Sequence, residues 1–332
     1  MAKIGVGVVG CGFVGRGAHV PAFANLEHSL LAAVADPDEK RLGKVAKKYE
    51  GTATYKDFQE LARDPKVEAV VVSLPTPLHA KAALAAIEAG KHVLCEMPLA
   101  ASLDEAEQII EAADKAGVLL MPGLTFRFTP NYVKAKQLFD EGKVGNLSAA
   151  IYREFIPAKD LAGQWPADAW VWNLEASGGP LYTLAVWSID LMRWLMGTEI
   201  SSVHSTCKYT KLEQFGGTLG YDAFASLHFA NGVVGCLQYS GSVTHSASVS
   251  RLELVGDTTN VIEATNNDKV TLLGDDPTKT EWNVKQPGPA MWGHLQQDEH
   301  FVNCIKDGAQ PIIVPDDGRK AMQVARQIAT AS

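Results

Sequence analysis

The sequence predicts an α/β domain with a doubly wound parallel sheet, followed by an α+β domain on an open, mostly antiparallel sheet. Three observations predict it. Short apolar runs alternate with helix-period segments through the first third of the 332 residues, the pattern of a parallel sheet covered on both faces. A glycine cluster follows the first of these runs directly. Beyond residue 123 the runs lengthen and fewer helices separate them, which fits an antiparallel sheet.

The elements follow in order. Ile4 to Val9 is a buried-strand run, then comes the glycine cluster and a helix-like segment. Leu30 to Ala35 is the second strand, and Asp36-Pro37 opens a helix whose inner face carries Leu42, Val45, Ala46 and Tyr49. Ala69 to Leu74 is the third strand. After His79, Ala83, Leu84 and Ile87 form one stripe that stops at Gly90, and His92 to Cys95 is the fourth strand. Ser102 and Glu105 have capping-box spacing for a helix that ends at Gly117. Val118 to Met121 is a further strand, and Pro122-Gly123 marks the expected boundary between domains 1–122 and 123–332. In the second domain the strands are Leu147 to Phe155, Ser201 to Tyr209, Tyr221 to Phe229 and Val233 to Ser240. Asn231-Gly232 predicts a two-residue hairpin with both turn residues at positive φ.

Composition narrows the function. The length suits two domains, and 46% hydrophobic with 20% charged residues is ordinary for a globular protein. A formal net charge of −8 argues against binding nucleic acid or an anionic membrane surface. No apolar stretch approaches the ~20 residues of a membrane span. Met1-Ala2-Lys3-Ile4 runs directly into a strand pattern, so no signal peptide is expected. Five scattered cysteines without Cys-x-x-Cys spacing predict reduced packing residues in a cytoplasmic protein.

Gly10-Cys11-Gly12-Phe13-Val14-Gly15 fits G-x-G-x-x-G between a strand and a helix, the Rossmann dinucleotide fingerprint. Gly10 permits the tight turn, Gly12 lets the backbone approach a pyrophosphate, and Gly15 allows close helix–strand packing. Asp36 ends the next strand, 21 positions after Gly15, where a carboxylate accepts from ribose hydroxyls. It would repel a 2′-phosphate, so the expected cofactor is NAD rather than NADP, with Lys40 and Arg41 softening that preference.

Beyond the glycine motif, the chain resembles the glucose–fructose oxidoreductase, inositol dehydrogenase and rhizopine-catabolism (Gfo/Idh/MocA) family along nearly its whole length. The segments that carry this are Leu74-Pro75-Thr76-Pro77-Leu78-His79, Ala89 through Pro98, Phe126 through Pro130, Gly142 through Gly145, and Ser177 through Leu195. The resemblance implies that Leu74, Pro75, Thr76, His79, Glu96 and Met97 join Gly10, Gly12, Phe13, Val14, Gly15 and Asp36 at the cofactor. It implies a substrate pocket at Glu96, Met97, Arg127, Tyr152, Trp170, Thr183 and Trp187. It further implies a second-domain sheet that mediates a homodimer or homotetramer.

Oxidising a secondary alcohol needs a group to take the hydroxyl proton. The family supplies a lysine, an aspartate and a histidine, and the matching positions here are Met97, Thr183 and Trp187, none able to exchange a proton near neutrality. An arginine common in the family is replaced by Val171. Tyr182, beside Thr183, is a candidate proton donor, with core packing as its alternative. Alternation sends Tyr152 and Glu154 to one face of their strand and Arg153 to the other. Trp165, Trp170, Trp172, Trp187 and Trp194 crowd one span, suiting either sugar stacking or core packing. His294 and His300 flank Glu299 six residues apart, not i, i+4, so no metal site is expected. His245, on an expected strand, has no evident partner. Three readings stay open: an NAD-dependent oxidoreductase of a sugar, cyclitol or polyol derivative; a redox-neutral NAD-dependent glycosidase or lyase; and a non-catalytic NAD or sugar binder.

Overall fold

The computed structural model describes residues 3–275, 279–285 and 292–331. The chain divides into two units, Met1–Thr125 with Pro287–Met322 and Phe126–Gln286 with Gln323–Ser332.

The first unit holds β1 (Ile4–Val9), β2 (Ser29–Ala35), β3 (Ala53–Tyr55), β4 (Ala69–Val72), β5 (His92–Cys95) and β6 (Leu120–Pro122). They form one parallel sheet in the order β3-β2-β1-β4-β5-β6. Val6 and Val8 of β1 and Val70, Val71 and Val72 of β4 are all at or below 1% exposure, as expected for strands covered on both faces. Connectivity reverses between the adjacent strands β1 and β4, whose following loops diverge, the place where such sheets receive ligands.

Local chemistry sets the helix ends. Ser102 and Glu105 close the expected capping box, and Gly117 ends that helix at φ 66°. The helix expected from Asp36-Pro37 starts later, at Glu39, because the Asp38 carboxylate caps the Lys40 and Arg41 amides. The strand expected at Val118 to Met121 is Leu120–Pro122. The three-residue β3 is too short to leave an alternating signature.

The second unit holds β7 (Leu147–Pro157), β8 (Ile200–Leu212), β9 (Thr218–Phe229), β10 (Val234–Val243), β11 (Val249–Gly256), β12 (Val261–Thr265), β13 (Lys269–Leu273) and β14 (Thr280–Asn283). Their order is β14-β13-β12-β11-β7-β10-β9-β8. All neighbours are antiparallel except β7 and β10, which run parallel. Alternation in β9 buries Tyr221, Ala223, Ala225, Leu227 and Phe229, while Phe224 on the other face is exposed. Helices Pro130–Asp140 and Gly179–Met196 pack on the sheet.

The hairpin between β9 and β10 differs from expectation. Only Gly232 has positive φ, at 90°; its amide donates to Phe229 O at 2.9 Å, and Phe229 N donates to Val233 O at 2.9 Å. One left-handed glycine after a tight turn makes the loop a residue longer than the two-residue form.

Residues 287–322 cluster with the first unit rather than with the sheet that precedes them in sequence. The cause is helix His294–Asp307, whose buried face of Gln297, Asp298, Phe301 and Val302 packs on β1 and on helix Val20–Asn25. Among the described residues, no helix is long and apolar enough to cross a membrane.

Candidate functional site

The glycine loop is built as its chemistry requires. Gly10 has φ 95°, and a Cβ there would stand 2.1 Å from Ser73 O; one at Gly15 would stand 1.8 Å from Gly10 O. A Cβ at Gly12, by contrast, meets nothing within 4 Å. The backbone is closed on the strand side at Gly10 and Gly15 and clear at Gly12, the position where a pyrophosphate must come close. Phe13 is exposed and Val14 half-buried just beyond.

Asp36 is turned into this loop. Its Oδ2 accepts from Cys11 N at 2.8 Å and its Oδ1 from Asp38 N at 2.9 Å. With about two acceptor positions per carboxylate oxygen, Oδ1 retains capacity for a ribose hydroxyl. Arg41 Nη1 lies 3.5 Å from Oδ2 on a half-exposed side chain, so a cation stands beside the carboxylate. Burial, with the charge of Asp36 adding, pushes the Cys11 thiol up to about 12, which rules it out as a nucleophile near neutrality.

Leu74 and Pro75 are half-buried and Thr76 is buried at the end of β4. His79 ties this segment to the next one: Nδ1 lies 2.8 Å from Pro98 O and Nε2 2.7 Å from Leu74 O. Burial pushes its pKa down against the pull of those carbonyls, so it serves as a hydrogen-bonding strut. Met97 is 3% exposed and precedes a cis peptide to Pro98.

Glu96 is 7% exposed and has partners that sequence reasoning does not reach. Its Oε1 lies 2.9 Å from His19 Nε2 and 3.3 Å from His294 Nε2. His19 Nδ1 in turn lies 3.0 Å from both oxygens of Asp298. His19 ends a π-helical turn, Gly15–His19, closed by Val20 N donating to Gly15 O; such turns recur at functional sites. Burial lowers the His19 pKa, but Asp298 and Glu96 outweigh it and hold the imidazole at about 10. Burial opposes ionisation of Glu96 too, yet the two histidines keep it well below the usual carboxylate range. The set His19, Glu96 and His294 offers three metal-ligating atoms within 4.8 Å of one another. His300, the other residue of the His294–His300 spacing, is not part of this set. The relevant signal is i, i+4 between His294 and Asp298, whereas His300 accepts from Ile312 N at 3.1 Å.

In the second unit, Arg127 makes a two-pronged ion pair with Asp190, Nε to Oδ2 at 2.8 Å and Nη2 to Oδ1 at 2.6 Å. Both are buried, and Asp190 also meets Arg193 at 3.3 Å. Tyr182 is 1% exposed, with its ring against Gly178, where a Cβ would stand 2.6 Å away. The Thr183 hydroxyl donates to Gly179 O at 3.0 Å. Trp187, one turn on, is half-buried, as is Trp170. Trp172 donates to Pro166 O at 2.8 Å and stands edge-on to Trp165, so these two are packing residues. His245 lies in a turn, not a strand, 3.5 Å from Asp160 on the surface.

β7 turns Tyr152 and Glu154 inward together, leaving Arg153 exposed to pair with Gln238 at 2.8 Å. The Tyr152 hydroxyl donates to Glu154 Oε1 at 3.3 Å and lies 3.3 Å from Ser250 Oγ and 3.5 Å from the Tyr132 hydroxyl. Burial raises the Glu154 carboxyl to about 7, against the opposing hydrogen bond from Tyr152. Burial and the Glu154 charge push Tyr152 well above the ordinary phenol value.

Residues 4–124 match the oxidoreductase family with an NAD-binding Rossmann fold, GFO_IDH_MocA, and residues 132–262 match the GFO/IDH/MocA C-terminal domain. The chain belongs to the Gfo/Idh/MocA family. It is 27% identical over 320 residues to myo-inositol 2-dehydrogenase of Thermotoga maritima, covering 96% of this chain and 92% of that one. Against scyllo-inositol 2-dehydrogenase (NAD(+)) of Bacillus subtilis it is 26% identical over 298 residues, covering 89% and 84%. Among solved structures, the aldose-aldose oxidoreductase of Caulobacter crescentus superposes with a TM-score of 0.82 at 25% identity, over 97% of this chain and 95% of that one.

Proposed function

We propose that this Gfo/Idh/MocA chain is an NAD-dependent oxidoreductase acting on a hydroxyl of a sugar, cyclitol or related polyol. The glycine loop carries the reading: it is closed at Gly10 and Gly15, clear at Gly12, and backed by the Asp36 carboxylate, a fit to a dinucleotide rather than to a generic turn. Relatives named as inositol dehydrogenases support the substrate class. When bound, the nicotinamide supplies the two-electron redox chemistry.

The chain's own task is then to take up the hydroxyl proton. Met97 and Trp187 cannot, and the Thr183 hydroxyl is committed to Gly179 O. Glu154 is our candidate for this step, an acid raised by burial to about 7 and so able to exchange a proton at neutral pH. Tyr152 donates to Glu154 and serves as a relay to it. Tyr182, buried with its ring against Gly178, fits the packing alternative. Half-buried Trp170 and Trp187 supply faces for a sugar ring.

The test is to saturate the protein with NAD, confirm binding by titration, and screen inositols, aldoses and their derivatives for a change in nicotinamide absorbance. A responding substrate whose turnover falls in Glu154→Gln supports the reading. Silence across the panel with cofactor bound defeats the dehydrogenase assignment. The three replaced positions favour a binding-only protein as the second reading. Activity that appears only after Met97→Lys, Thr183→Asp and Trp187→His are combined would establish that alternative. A homodimer or homotetramer in the cytoplasm completes the proposal, supported by the exposed apolar Phe224 and Val234 on β9 and β10, and light scattering of the purified chain measures it.

A further inference from the structure

Four ionisable side chains of the first unit are buried together, and the proposed proton path uses none of them. His19 and Asp298 are 0% exposed, His294 3% and Glu96 7%. Both ring nitrogens of His19 face carboxylates, Asp298 at 3.0 Å and Glu96 at 2.9 Å. A neutral imidazole has one donor and one lone pair. With the Nδ1 proton turned to Asp298, the Nε2 lone pair points at a carboxylate oxygen. A proton on Nε2, which the flanking carboxylates favour, resolves that contact, and so does a metal ion between the two atoms.

The arrangement suits a metal ion. His294 Nε2 converges on the same Glu96 oxygen at 3.3 Å, and the imidazoles stand edge to face with centroids 5.2 Å apart. Ligands about 2.0–2.1 Å from a tetrahedral zinc ion lie about 3.3 Å from one another. The two contacts to Glu96, 2.9 and 3.3 Å, are within a few tenths of an ångström of that spacing, while the two imidazole nitrogens, within 4.8 Å of each other, close on the ion by turning their rings. Asp298 stands where a metal-binding histidine usually finds its orienting carboxylate, holding the proton on Nδ1 and leaving Nε2 as the ligand. Helix His294–Asp307 supplies both His294 and Asp298, one turn apart on one face. Glu96 is itself confined, because its Cα and carboxyl group crowd the Cβ position of Gly123 at 3.0 to 3.1 Å. Two buried carboxylates, Glu96 and Asp298, face the imidazoles, and a divalent ion would displace the proton held on His19 while offsetting their charge.

We propose that His19, His294 and Glu96 form a binding site for a divalent ion of the zinc type, with Asp298 as a positioning residue for His19. Two imidazoles and one carboxylate leave a fourth position for an oxygen ligand such as water. The inference stands apart from the assignment as a dehydrogenase, since NAD titration tests that reading without reference to metal.

The experiment is equilibrium dialysis of the full chain, stripped by chelator, against zinc alone and then cobalt(II) alone. The expected result is one zinc retained per chain and a visible cobalt spectrum of low-symmetry nitrogen and oxygen coordination. His294→Gln should abolish retention, with circular dichroism and NAD titration confirming the fold. Asp298→Asn should keep the stoichiometry while weakening affinity about 10- to 100-fold. Retention of no metal by the unaltered chain overturns the proposal, as does a His294→Gln protein that holds as much as the parent. If His294→Gln does not fold, the cobalt spectrum of the unaltered chain decides. A sulfur-to-metal charge-transfer band would assign the ion to cysteine and refute the site.

Discussion

Glu154 offers a test in which stability and catalysis share one titration. The carboxyl titrates near 4.5 when unfolded and is raised by burial to about 7 in the folded chain. The folded state therefore holds a proton that the unfolded state releases across that interval. The sign follows: the contribution of Glu154 to stability is fully present below about pH 4.5 and is lost as pH rises through about 7. At about 1.4 kcal/mol per pH unit the full loss is about 3 kcal/mol, less whatever water reaches the half-buried side chain. Urea unfolding of the parent and of Glu154→Gln, at about pH 5 and about pH 8, isolates this effect by difference. The parent should lose about 2–3 kcal/mol more than the variant between the two conditions. The same substitution should remove a kinetic limb near neutrality from kcat/KM. An equal pH dependence in parent and variant would refute the placement of Glu154 as a buried, proton-holding acid.

Three further outcomes are expected. Gly15→Ala forces a Cβ to within 1.8 Å of Gly10 O, so the loop must move and NAD affinity should fall at least about tenfold, or about 1.4 kcal/mol, by fluorescence titration with NADH. Arg127→Ala removes the two-pronged partner of the buried Asp190, which keeps its 3.3 Å contact to Arg193, and should cost about 3–5 kcal/mol in urea unfolding. Asp36→Ala removes the carboxylate that repels a 2′-phosphate while keeping Arg41 nearby. The NADP-to-NAD affinity ratio should rise about tenfold or more, worth about 1.4 kcal/mol, and an unchanged ratio would show that Asp36 does not select the cofactor.

The nucleotide-binding unit was legible because its signals are local. β1, the glycine loop, the strand before Asp36 and the Ser102 to Gly117 helix are each set by residues within a turn or two of one another. The errors there are errors of capping: Asp38 outcompetes Asp36 for the helix start, which leaves Asp36 for Cys11 N. The Glu96 site was not legible. It depends on a π-helical turn that apolar periodicity cannot reveal, and on Asp298, which lies 279 residues from His19 in sequence. Likewise, alternation in β7 pairs Tyr152 with Glu154 but does not say which face is buried. That face is set by the helix Gly179–Met196, which packs against β7.

The return of residues 287–322 to the nucleotide-binding unit has a consequence for biogenesis. A ribosome that has released the first 125 residues has delivered all six strands of the parallel sheet, but not the helix that closes over His19 and Glu96. Until His294 and Asp298 emerge, His19 and Glu96 lack those partners and helix Val20–Asn25 lacks the helix that packs on it. The unit therefore matures late, after the intervening sheet has been synthesised. An amino-terminal fragment ending at residue 125 should accordingly be partly molten and prone to associate, whereas adding residues 287–322 as a separate peptide should restore order in trans.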